Sequence, residues 1–205
     1  MKQDWRRIPL PKNKESLAAS ASLGRRLAAL LNTETEVLGV TGDPVSKSLR
    51  AIGNLDKPIG GGLDIGDLEV RANWGYQGQN GAVMPCKGRA VERDYTVEER
   101  ATLGESIALL GEKTFDIYLN NLTCWRNVPA RVWDYTMGGY QVVKKWLSYR
   151  EMALLGRSLT IDETREVMKI TRRITSLLLM EPELDTNYSA VKADAFAWKQ
   201  SEPPL

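Results

Sequence analysis

Apolar residues recur at helical spacing near both ends of the chain and alternate with polar residues in short runs between them. Leu17, Leu23, Leu27, Leu30 and Leu31, with Ala18, Ala21 and Ala28, predict a helix from about Lys14 to Leu31. Asn13 suits its N-cap and Asn32 its close. Ahead of it, Asp4 to Pro11 is expected to be extended, because its prolines hold the backbone out of helix. Leu68, Val70 and Ala72 alternate with Glu69 and Arg71 and predict a strand over about Asp67–Trp74. Gly75–Gly81 reads as a turn-rich connection, with return strands starting at Ala82 and spanning Arg89–Tyr95. The links are too short for helical crossovers, so the pairing is expected to be antiparallel. Thr96 and Glu99 form a capping box opening a helix to about Leu110, closed by Gly111. Thr114–Leu119 alternates as a strand. A second capping box, Thr160 with Glu163, opens a helix to about Met180. Pro182 fits the first position of a last helix, where Leu184, Tyr188, Val191, Ala195 and Trp198 recur at four and three.

The densest apolar stretch is Tyr118–Tyr149, which holds seven of the fifteen aromatic residues. Rings of this size bury large areas, so Trp125, Trp133, Tyr140 and Trp146 are expected to be structural. Gly138 and Gly139 permit a tight turn before a helix starting near Tyr140. Together these elements predict an α+β fold: a small, mostly antiparallel sheet from the middle of the chain, packed by N-terminal and C-terminal helices. Residues 13–200 read as a single domain, with 1–12 as an extended lead-in and 201–205 as a frayed tail.

Composition narrows the chemistry. The chain has 205 residues, 42% apolar and 26% charged, the balance of an ordinary globular protein. No apolar run approaches the roughly 20 residues of a membrane span, and Met1–Arg7 has no secretory core, so a cytoplasmic protein is expected. There is no histidine and there are two cysteines, Cys86 and Cys124, which are expected to be free thiols rather than a bridge or a zinc site. Without histidine there is no Ser-His-Asp or Cys-His nucleophile. Gly111-Glu112-Lys113-Thr114 fails the phosphate-loop pattern, and no G-x-G-x-x-G occurs. No acid stands two residues before a lysine, as metal-dependent nucleases require. The acid pairs Glu98–Glu99 and Asp162–Glu163 sit in first helical turns, where they favour the helix dipole. The expectation is a chain with no cofactor and no catalysis of its own.

Two features suit nucleic acid. Net charge is only +2, yet Tyr140–Met180 carries eight basic residues against four acids. On the helix from Thr160, Val167, Ile170, Thr171, Ile174, Leu177 and Leu178 share one face, and Arg165, Lys169, Arg172 and Arg173 form a stripe on another. Lys144, Lys145 and Arg150 precede it. Cations on rigid helices can contact successive phosphates; the plainer alternative is a solvated helix face. The second feature is the loop Trp74–Lys87. Gln77, Gln79 and Asn80 are amides of the kind that can bond an adenine edge in two places, and Lys87, Arg89 and Arg93 could hold guanine or a neighbouring phosphate. The plainer alternative there is a polar surface hairpin.

The stretch Asp116–Glu151 also resembles the C-terminal region of Type ISP restriction–modification enzymes. The likeness runs through Trp125-Arg126-Asn127-Val128-Pro129, Val132-Trp133-Asp134-Tyr135, Gly138-Gly139-Tyr140-Gln141-Val142 and Lys144-Lys145-Trp146-Leu147, then Leu155-Gly156-Arg157. Arg7-Ile8-Pro9-Leu10-Pro11 resembles the passage leaving that family's methyltransferase domain. Such enzymes join a nuclease, an ATP-driven translocase, an adenine-N6 methyltransferase and a target-recognition domain. The resemblance implies that this chain corresponds to the recognition domain, with double-stranded DNA and the methyltransferase, translocase and nuclease portion as partners, and no membrane. A docking module that holds such an enzyme together is the alternative, and an enzyme with an unrecognised site is a third.

Overall fold

The computed structural model describes residues 8–196; Asp4–Arg7, Trp198 and the tail 201–205, on which expectations were placed, lie outside the described residues. Asn13 adopts an extended backbone and its side-chain oxygen accepts the Ser16 N–H at 2.8 Å, so α1 runs Lys14–Leu31. Asn32 closes it, its N–H reaching the Ala28 carbonyl. In chain order there follow α2 (Lys47–Arg50), β1 (Asn54–Asp56), β2 (Gly75–Gln77), β3 (Val83–Pro85), β4 (Ala90–Asp94), α3 (Val97–Leu103), α4 (Ile107–Leu110), β5 (Lys113–Tyr118) and β6 (Cys124–Pro129). Then come α5 (Ala130–Trp133), β7 (Thr136–Met137), β8 (Tyr140–Gln141), α6 (Val142–Ser148), α7 (Met152–Leu155) and α8 (Ile161–Ala193).

The fold is α+β. A four-stranded antiparallel sheet in the order β1-β6-β5-β4 stands in the middle of the chain; one two-stranded hairpin, β2-β3, is inserted between β1 and β4, and another, β7-β8, follows β6. The described residues divide into two compact units, 33–179 and a second made from residues up to 32 with those from 180 onward. In the larger unit the core gathers Trp74, Ile117, Leu119, Trp125, Val128, Val132 and Leu147, all fully buried, with Val167, Ile174 and Leu178 from α8. The Trp125 indole N–H reaches the Thr164 carbonyl at 3.3 Å, which ties β6 to α8. In the smaller unit α1 lies antiparallel to the end of α8: Lys12 meets Asp194 at 2.7 Å, Ser20 bonds Asn187, and Arg26 meets Glu183 at 2.8 Å.

Both capping boxes form. Thr96 and Glu99 exchange bonds at 2.8 and 3.2 Å, as do Thr160 and Glu163. Four expectations need correction. Asp67–Trp74 is not a strand. Leu68 and Val70 are buried as the alternation required, but the backbone there bonds three separate segments. Arg71 N–H goes to Leu119, the Val70 carbonyl takes Met152 N–H, and the Leu68 carbonyl takes Leu159 N–H, so no ladder forms. The helix from Thr96 breaks at Gly104, where φ is +53°, and resumes at Ile107. The helix expected at Tyr140 starts at Val142, because Tyr140 belongs to β8. Pro182 opens no new helix. It sits inside the 33-residue α8, whose apolar face is buried at Ile174, Leu177 and Leu178 before it and at Val191 after it.

Candidate nucleic-acid interface

The hairpin β2-β3 is built on a fixed base with an open tip. Its register pairs Gly75 with Pro85, Tyr76 with Met84 and Gln77 with Val83. At the base, Trp74 is fully buried; its indole N–H donates to the Tyr118 carbonyl at 2.8 Å and its ring meets Trp133 edge-on at 5.6 Å. The Trp74 backbone N–H donates to the carboxylate of buried Glu151 at 2.7 Å. Burial raises the Glu151 pKa, and the N–H groups of Trp74, Asn73 and Gly75 oppose that rise. Gly75 is required where it stands: a Cβ there would lie 2.1 Å from the Ser148 carbonyl oxygen at the end of α6. At the tip, Gln79–Gly81 form a 3₁₀ turn with Asn80 at φ +71°, a left-handed conformation that asparagine tolerates. Gln77, Gln79 and Asn80 all face solvent.

The second hairpin stands beside the first. Gly138 and Gly139, at φ +59° and +84°, make the two-residue turn that joins β7 to β8. Tyr140 then leads into α6. The Lys145 ammonium is 4.7 Å from the centroids of both Tyr140 and Tyr149, and 3.4 Å from the Val83 carbonyl of β3. Lys145 therefore joins α6, both hairpins and Tyr149 through one cation. Lys144, its neighbour, is part-exposed and has no carboxylate partner among the described residues. Between the hairpins lies a cavity of about 220 Å³, lined by Pro85, Thr136, Gly139, Tyr140, Gln141, Lys144 and Lys145. No Asp or Glu occurs in residues 70–91 or 135–150, which supply both hairpins and α6. Carboxylates border these segments directly at Glu69, Glu92, Asp134 and Glu151; Asp134 accepts a bond from the Gln141 amide at 3.1 Å, and Glu151 is buried under the hairpin base.

The remaining basic residues are placed differently. Arg150 stacks 3.8 Å over the Trp146 ring and lies 3.7 Å from Glu163 and 3.4 Å from Glu166. Arg89 stacks 4.0 Å over Tyr118 and bonds Asn121, while Lys87 is exposed just beyond β3. Arg93 is not available to DNA in this way, since it is paired with Glu99 at 2.7 Å and Asp116 at 2.8 Å. The stripe on α8 is not one solvated face. Arg173 is only 6% exposed and donates to the Thr35 carbonyl. Arg172 donates to the Leu49 carbonyl at 3.1 Å and approaches Asn54 at 3.4 Å, and burial lowers its pKa. Lys169 pairs with Glu36 at 2.8 Å and holds that carboxyl below its ordinary range. Arg165 alone of the four points well into solvent, near Asp162. Lys169, Arg172 and Arg173 fasten α8 to the segment 35–54, whereas Lys145 meets the amide hairpin at Val83.

Three of the four aromatics expected to be structural are buried or half-buried, whereas Tyr140 is 49% exposed. Tyr149 is exposed and shares the Lys145 cation with Tyr140, and Tyr76 is exposed on β2. Sequence reasoning missed both, along with Glu151 and the role of Gly75. The absence of acids from residues 70–91 and 135–150 was the available signal for the surface. Thr-Met-Gly-Gly-Tyr-Gln was the available signal for the second hairpin.

Among the described residues, no helix is long and apolar enough to cross a membrane. No curated protein and no solved structure matches the chain. A family model does, that of the Type ISP C-terminal specificity domain, over residues 1–179. The match covers the four-stranded sheet, both hairpins and α8 up to the boundary between the two compact units. It thus agrees with the likeness carried by Trp125–Glu151, and the chain belongs to the Type ISP C-terminal specificity domain family.

Proposed function

We propose that this chain recognises a specific sequence in duplex DNA on behalf of a Type ISP restriction–modification enzyme in the cytoplasm, with the face formed by β2-β3, β7-β8 and α6 turned to the DNA. One observation carries this reading: exposed amides on a fixed hairpin stand beside lysines on a surface whose segments contain no carboxylate. Amides on a rigid support can read base edges, and the lysines supply attraction to phosphates that sets register. In this reading Gln77, Gln79 and Asn80 read bases and Lys144 holds the backbone. Adenine-N6 methylation, translocation and cleavage belong to the other domains, in cis or as separate chains. This chain then needs no cofactor.

The test is a salt titration of binding to a duplex selected from a random pool and to its scrambled form, with the chain in its whole enzyme. Gln77→Ala and Gln79→Ala are expected to leave the slope of log affinity against log salt unchanged. They should narrow the preference for the selected duplex by about 1–3 kcal/mol for each lost paired contact. Lys169→Ala serves as the comparison, since its cation is already paired with Glu36. If Lys169→Ala flattens the salt slope while the hairpin variants change nothing, the α8 stripe is the interface and this placement is wrong. A second reading, docking to a neighbouring domain, is favoured by the exposed apolar group Ile8, Leu10, Tyr188 and Phe196 of the smaller unit. It concerns a different surface and does not compete for the hairpins.

A further inference from the structure

We infer that the cavity between the two hairpins is a seat for a single backbone phosphodiester, with Lys144 as the residue that contacts it and Lys145 as the residue that holds its walls in place. The inference rests on the reading of duplex DNA as the partner and assigns one atom group of that partner to one place on the chain.

Size and lining select the ligand. At about 220 Å³ the cavity is smaller than the roughly 300–1,000 Å³ of sites that enclose organic cofactors. A phosphate with part of its hydration shell needs far less room than such a cofactor. Its lining residues include two lysines, Thr136, Tyr140 and Gly139 and no Asp or Glu; the Gln141 amide is already bonded to Asp134, so Lys144 is the donor left to an incoming group. An anion is the group such a set would take. A base is a poorer fit, because the Lys145 ammonium already lies over the Tyr140 ring that would have to stack on it.

The two lysines differ in what binds them before DNA arrives. Lys145 is held between two aromatic rings and against the Val83 carbonyl, so its ammonium is committed to joining β3, β8 and α6. Lys144 has no such partners among the described residues and lines the same cavity. The walls are also constrained from outside. The contact between Gly75 and Ser148 fixes β2 against α6, and the Gln141 amide bonded to Asp134 fixes β8 against the turn before it. A phosphate entering the cavity meets a prearranged site and needs little movement of either hairpin.

A methylphosphonate scan tests this. Duplexes of the selected sequence carry one neutral methylphosphonate at successive positions, and their binding is compared for the wild-type chain, Lys144→Ala, Lys144→Arg and Lys145→Met. The expected result is one position at which the neutral linkage weakens wild-type binding about tenfold, as befits a lost charge-assisted bond. Lys144→Ala should be insensitive at that position alone, and Lys144→Arg should recover the sensitivity. Lys145→Met is expected to keep the position sensitive while reducing discrimination between selected and scrambled duplexes. If the duplex is selected but no position couples to Lys144, the phosphate seat is wrong and the recognition function stands. If no duplex is selected by the wild type, both fall. A cavity for a small free anion would show as inorganic phosphate weakening the duplex complex more than chloride at equal ionic strength, with no coupled position, and that too would overturn the assignment.

Discussion

At the scale of the residue, burial and pairing decide which charged groups are free for function. Glu163 caps α8 through Thr160 and also receives Arg157 at 2.7 Å, and that guanidinium lowers its pKa from 4.5 to about 2. A carboxylate with a depressed folded pKa stabilises the protein above its ordinary value, and this is lost as pH falls through the folded one. Glu163→Gln keeps the capping geometry but loses the charge, and is expected to cost about 1 kcal/mol at pH 7. Urea unfolding at pH 7 and near pH 2 should show that difference shrinking in acid; a constant difference would mean that the charge contributes nothing. The same logic explains what the sequence concealed. Arg172 and Arg173 lie on the helical stripe by spacing alone. Their partners, the Leu49 and Thr35 carbonyls, are more than a hundred residues away, and no periodicity reports them.

At the scale of the element, α1 and both capping boxes were legible because their signals are local. A cap, its partner three residues on and an apolar stripe all lie within one helix. The central strand β6 was not legible. Both faces of Cys124–Pro129 are covered, so its residues are buried almost without alternation, and Asn127 takes a positive φ of +59° opposite an irregularity in β5. A strand buried on both sides loses the period of two by which strands are recognised. The hairpin base was hidden too, since the need for Gly75 comes from Ser148, far along the chain. Gly75→Ala should displace β2 from α6. A loss of about 1–3 kcal/mol is expected, as for other insertions into packed sites, together with weaker duplex discrimination at an unchanged salt slope. Melting curves and the scrambled-duplex comparison would check this, and full stability in the variant would show that the contact yields easily.

At the scale of the whole molecule, α8 is the element that belongs to both compact units, and Pro182 lies just past their boundary at Met180. A proline inside a helix lacks the N–H that would bond four residues back and disfavours helix by about 3 kcal/mol relative to alanine. Pro182→Ala is therefore expected to stabilise the protein, by up to that amount, in urea titration; a loss of stability would mean that the proline's geometry is needed there. The smaller unit has a further consequence, one of timing. Residue Arg26 leaves the ribosome 157 residues before its partner Glu183, and Lys12 leaves 182 residues before Asp194. At about 5–20 residues per second, α1 waits on the order of ten to thirty seconds for the helix end against which it packs. Through that interval the larger unit's sheet has been fully synthesised while Leu23 and Leu30, buried in the finished protein, remain uncovered. Among the described helices α1 is thus made first and packs against one of the last segments made, so its apolar face stays open to water for most of the synthesis of this chain.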